Sequence, residues 1–124
     1  MNEISKYVVV LGASNNPERY SYKAVKMLKE YGYTVKPVHP SGSPVDGTPT
    51  LKTLKEISLP IDTVTVYVNP KIAKEYISDI ITLSPRRVIF NPGTEDKGLI
   101  ETFEKHGIEC IEACTLVMLK TGVF

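Results

Sequence analysis

The residues best suited to chemistry stand together near the amino end: Gly12-Ala13-Ser14-Asn15-Asn16-Pro17, then Arg19 and Ser21. They follow an apolar run, Tyr7–Leu11, and precede an amphipathic stretch, which is where a dinucleotide-binding fingerprint would sit. That fingerprint asks for glycine at its first, third and sixth positions, and only Gly12 complies. Ser14 stands where bare backbone should approach a pyrophosphate, and Pro17 where a third glycine should let helix pack on strand. A phosphate can still bind such a junction, because the N–H groups at a helix start and their dipole favour anions. The Ser14 hydroxyl can add a hydrogen bond, and Arg19 a charged one. The plainer readings are a turn serine and a solvated arginine; side by side, the two favour phosphate contact.

The next test lies at the second apolar run, Thr34–Val38. A nicotinamide dinucleotide usually needs Asp or Glu at the end of that strand to hold ribose hydroxyls. The chain has His39-Pro40 there, and the nearest acid, Asp46, lies in a Pro/Gly loop. His39 could touch a ligand or cap local backbone; no second residue at useful spacing supports a metal. His106 falls in the last turn of a helix, where the dipole accounts for it. Tyr67 reads as a strand aromatic that packs, and Asn91 as a turn residue bonding its own backbone. Arg86 and Arg87 open a strand at the edge away from the site and are assigned to solvent. Cys110 reads as a small core residue.

The elements that must position these groups alternate. Tyr7–Leu11 is a β-branched run of the kind buried on both faces. Ser21 is a candidate N-cap for a helix with Ala24, Met27, Leu28 and Tyr31 on one face, ended by Gly32. Pro37 lacks a ladder N–H and demotes the second strand toward an edge or a bulge. Residues 39–50 form a loop, and residues 51–57 a candidate short helix. Thr63–Val68 is a third strand. Asn69-Pro70 caps and opens a helix carrying Ala73, Tyr76, Ile77, Ile80 and Ile81. Arg87–Phe90 is a fourth strand, residues 96–106 a helix with Leu99, Ile100 and Phe103 inward, Glu109–Glu112 a fifth strand, and residues 115–120 a closing helix. Strand and helix alternate five times, which predicts a Rossmann-like, doubly wound α/β sheet of about five parallel strands with helices on both faces. Ligands of such sheets sit at the carboxyl ends of the strands, near the point where strand order reverses.

The whole-chain numbers fit that architecture. The 124 residues suit one domain, 1–124, and the net charge of +1 is far from the basic excess of a non-specific nucleic-acid binder. Apolar runs of about five residues are too short to cross a bilayer. A carboxylate, Glu3, stands where the apolar part of an export signal should begin, and two cysteines cannot build a disulfide framework, so the expected compartment is the reducing cytoplasm.

Gly12-Ala13-Ser14-Asn15-Asn16-Pro17-Glu18-Arg19-Tyr20-Ser21-Tyr22, followed by Gly32-Tyr33-x-Val35-x-Pro37-Val38-His39-Pro40, resembles the CoA-binding domain family, whose fold is that of the CoA-binding module in the alpha subunit of succinyl-CoA synthetase. The resemblance runs on through Gly47, Pro49, Leu54, Ile61-Asp62 and Cys114. It implies coenzyme A as ligand. By position it implies Gly12, Ala13, Ser14 and Arg19 at the phosphates, joined by Ser21, with His39, Pro40, Tyr67 and Val68 along the adenosine. Asn91 is grouped with these contacts, although family members often carry an aromatic-Gln-x-Gly stretch where this chain has Phe90-Asn91-Pro92-Gly93. His39 replaces a commoner Asn.

The expectation is thus a CoA or acyl-CoA binding protein with no catalytic residue and no metal. A small NAD(P)-dependent oxidoreductase is the enzyme alternative; against it, no tyrosine–lysine pair and no nucleophile–base pair is evident. A regulatory or interaction subunit, docking through Leu116-Val117-Met118-Leu119 onto a partner subunit or a second copy, is the other. Cys114 would be reactive only by reaching the CoA thiol, with Glu112 nearby working against a thiolate.

Overall fold

The computed structural model describes residues 6–124; residues 1–5, on which the reading against an export signal rests, lie outside them. Strands β1 (Tyr7–Leu11), β2 (Thr34–Val38), β3 (Thr63–Val66), β4 (Arg87–Phe90) and β5 (Glu109–Glu112) form one parallel sheet in the order β2-β1-β3-β4-β5. Side chains of a strand alternate between faces, and β1 is apolar on both. Val8 and Val10 join the core under helices α1 (Tyr20–Glu30) and α5 (Thr115–Thr121). Val9 and Leu11 join the core under α2 (Pro70–Ala73), α3 (Ile77–Leu83) and α4 (Lys97–Lys105). The sheet is therefore doubly wound, and the order reverses between β1 and β3.

The capping chemistry sets several element starts. The Asn69 side chain accepts from the Ile72 N–H with Pro70 at the first helical position, and Asp96 accepts from the Leu99 N–H. Pro37 is tolerated because β2 is the sheet edge and its backbone faces outward. Its carbonyl accepts from the Leu51 N–H, and the missing donor would have pointed the same way.

Several expectations are corrected. Ser21 is not the cap of α1: Arg19 holds that position without a side-chain bond, and Ser21 is buried in the first turn. The short helix near 51–57 is a 3-10 turn, Leu54–Glu56, closed by a Thr53/Glu56 capping box. The helix from Pro70 is interrupted by a 3-10 turn, Lys74–Tyr76. β3 stops at Val66 because its neighbour β1 ends opposite it at Leu11, so Tyr67 and Val68 run past the ladder toward the ligand edge. Arg87 is not solvated. β4 is an inner strand, and Arg87 is buried with its Nε donating to Thr63 Oγ1 at 2.8 Å and its guanidinium 4.4 Å from the Phe124 ring centre. The tail Leu116–Leu119 is no continuous docking surface either: Leu116, Met118 and Leu119 are buried and Val117 alone of the four is exposed. Among the described residues no helix is long and apolar enough to cross a membrane.

Candidate functional site

At the carboxyl edge, over the point where strand order reverses, lies a cavity of about 430 Å³. The junction after β1 makes its floor. Gly12 turns there with φ +89°, and a Cβ on it would stand 2.6 Å from Val68 Cγ1, so both the dihedral and the close approach require glycine. The Gly12 and Ala13 N–H groups both donate to the Val38 carbonyl, tying the turn to β2. The loop then holds itself: Ser14 Oγ accepts from the Asn16 N–H, and Asn16 Oδ1 from the Glu18 N–H. The opening residues of α1 reach the same cavity through Arg19, Tyr20 and Ser21. No acidic residue occupies the first turn of α1, and the exposed Arg19 side chain has no partner among the described residues.

The loop after β2 forms the opposite wall through His39, Ser41 and Ser43. His39 Nδ1 accepts from the Ser41 N–H at 3.0 Å and lies 2.9 Å from Ser41 Oγ. In the neutral ring the proton is therefore on Nε2, leaving an N–H donor for a ligand. This hydroxyl–imidazole contact closes a local turn on an exposed loop, where the Ser41 N–H fixes the ring. Asp46 is turned away onto α1, where it takes Lys29 Nζ at 3.2 Å and the Tyr22 hydroxyl at 3.3 Å. Burial and the Asp46 carboxylate raise that phenol's pKa. Consequently no carboxylate lines the cavity, while Arg19 does.

Tyr67 forms the wall toward β3. Burial pushes its phenol up to about 12, and its hydroxyl stands near Thr65 and Thr115 without completing a hydrogen bond. Past β4, Asn91-Pro92-Gly93-Thr94 is a turn with Pro92 second, Gly93 third at φ +90° and the Thr94 N–H on the Asn91 carbonyl. The Asn91 side chain does more than close that turn. Its Nδ2 donates to Thr65 Oγ1 at 2.7 Å and to the Val66 carbonyl at 2.9 Å, and its Oδ1 accepts from the Thr115 N–H at 2.9 Å. One buried amide thus fixes β3, β4 and the start of α5.

Of the residues singled out in the sequence, Gly12, Ala13, Ser14, Arg19, Ser21, His39 and Tyr67 line this cavity together. Asn91 lines a neighbouring one. Pro40 and Val68 line neither; Pro40 is exposed, and Val68 backs Gly12. Sequence reasoning missed Tyr20, Ser41, Ser43 and Thr94. The hydroxyls carry no spacing signal of their own, but their place in loops after strands was a usable clue. The two thiols differ: burial, then the charges of Glu104 and Glu109, push Cys110 up to about 11, whereas Cys114 stands at the start of α5 on the ligand edge. Among the described residues no cluster of His, Cys, Asp and Glu could hold a metal ion.

The family model described as CoA binding domain matches residues 6–120. The chain is 31% identical over 115 residues to the alpha subunit of an ADP-forming acetate–CoA ligase II from Pyrococcus furiosus, a match over 84% of this chain and 25% of that protein. It is 35% identical over 77 residues to the uncharacterized protein YneT of Bacillus subtilis, covering 59% of this chain and 57% of that one. The matches thus span a little over half of one curated relative and a quarter of the other. A crystal structure of an uncharacterized protein superposes with a TM-score of 0.89 at 38% identity, over 98% of this chain and 100% of the other.

Proposed function

The chain belongs to the CoA binding domain family, and from that premise we propose that residues 1–124 are a single module that binds coenzyme A at the carboxyl edge of its sheet without turning it over. The observation that carries this reading is the lining of the first cavity: the start of α1, an Arg19 without a partner among the described residues, and no carboxylate. A pyrophosphate resting on Gly12, Ala13 and Ser14 would meet helix N–H groups and the Arg19 guanidinium. Ser21 lies one turn residue further in. The adenosine would lie along His39 and Pro40, with the His39 Nε2–H and the Ser41 and Ser43 hydroxyls as donors. An acid there would repel the 3′-phosphate that separates CoA from dephospho-CoA; here there is none. Tyr67 supplies a wall with Val68 behind it, and Asn91 acts by holding that wall to α5.

Calorimetric titration with CoA, with dephospho-CoA as control, tests the reading: CoA binds, and dephospho-CoA binds more weakly. No heat and no thermal shift at millimolar CoA overturns it. A fluorescence change with NADH or NADPH but not CoA would put a nicotinamide enzyme in its place. Light scattering measures whether the module self-associates, and co-purification whether it serves a partner subunit, in the cytoplasm where CoA is found.

A further inference from the structure

The first cavity has a neighbour. Beyond Tyr20, Tyr67 and Pro92, which line both, a second chamber of about 410 Å³ opens against α5. We propose that this chamber receives the acyl group of a short acyl-CoA, so that the protein binds the thioester more tightly than free coenzyme. The proposal rests on the CoA reading, and it names the ligand class that reading leaves open.

Two observations carry it. The first is continuity: a ligand with its phosphates on the β1–α1 junction has only the shared wall to cross before reaching the second chamber. The second is the chemistry of the far wall. Leu116 and Val117 face the chamber, and the one amide there, Asn91, has its Nδ2 and Oδ1 committed to Thr65, Val66 and Thr115. No carboxylate is present, and Lys120 can lay its aliphatic stem along the wall. A bare thiol would leave this apolar surface wet, whereas a few carbons would cover it. Val117, 54% exposed, is a large apolar side chain lining the cavity.

The chamber is finite, so the gain should stop with chain length. Each methylene buried is worth about a fourfold gain in affinity. Titration of the full chain with CoA, acetyl-CoA, butyryl-CoA, succinyl-CoA and palmitoyl-CoA is expected to give butyryl-CoA at least about tenfold tighter than CoA, and palmitoyl-CoA no tighter than butyryl-CoA. Val117→Phe, a change at an exposed position that fills the chamber without touching the core, is expected to erase the butyryl preference and leave CoA affinity within about twofold. CoA binding with no gain for butyryl-CoA overturns the proposal and leaves the CoA reading intact. So does a preference that survives Val117→Phe, or one that appears for succinyl-CoA alone. Failure of every ligand, CoA included, removes the CoA reading and this proposal together.

Discussion

The two ends of the same sheet are built from the same kinds of residue and used in opposite ways. At the amino edge the polar groups are engaged. Arg86 Nε lies 2.8 Å from Asp62 Oδ1 and its Nη2 3.2 Å from Asp62 Oδ2, Thr63 Oγ1 donates to Asp62 Oδ2 at 2.6 Å, and Arg87 reaches Thr63 in turn. At the carboxyl edge, among the described residues, the Arg19 side chain has no partner and the helix that opens there has no acid in its first turn. A buried charge must be paired, whereas a binding surface needs groups left available. The amino edge contributes to stability, and the carboxyl edge holds the groups that the proposed CoA site would use.

The largest expected effect tests the amino edge. Asp62→Ala leaves buried Arg87 without its nearby carboxylate and should cost about 3 kcal/mol, read by urea denaturation. CoA affinity of the folded protein should not change; a matching loss of binding would mean the two ends are coupled. Gly12→Ala comes next, because a Cβ there meets Val68 at 2.6 Å on a backbone with φ +89°. It should cost about 2 kcal/mol and weaken CoA as well, marking a position where stability and the proposed site share a residue. Arg19→Gln is the converse of Asp62→Ala. It should weaken CoA at least about tenfold while shifting unfolding by no more than about 0.5 kcal/mol.

The smallest effect is in pH. Burial by itself would raise the Asp62 carboxyl, but hydrogen bonds from Arg86 and Thr63, with the charges of Arg86 and Arg87, outweigh it and hold the group below its ordinary range. Its folded pKa thus lies below the unfolded value of about 3.9. The stabilisation is complete above that value and is lost as pH falls through the folded pKa. Asp62→Asn should remove this part of the acid sensitivity, and an unchanged acid limb in stability against pH would contradict it.

The order of elements was legible in the sequence because it is local. β-branched runs mark strands buried on both faces, Asn69-Pro70 and Asp96 mark helix starts, and Gly12 marks the turn where a ligand edge begins. The flaw at Pro37 pointed β2 toward an edge or a bulge, and the sheet order makes it an edge, since a missing donor is tolerable where no strand waits for it.

What lay beyond the sequence depends on which surfaces meet. Arg87 follows Arg86 and looks equally solvated, yet alternate side chains of an inner strand face different layers, and Arg87 is covered by Thr63 and Phe124. Asn91 looks like any turn residue until Thr65 and Thr115, distant in sequence, are brought to its amide. Local propensity and the two-residue and 3.6-residue periods fixed the α/β class and the glycine turn of this chain. Only the tertiary structure decided which polar groups would be satisfied and which left free, because a hydrogen bond between residues far apart in sequence exists only once the fold has brought them together.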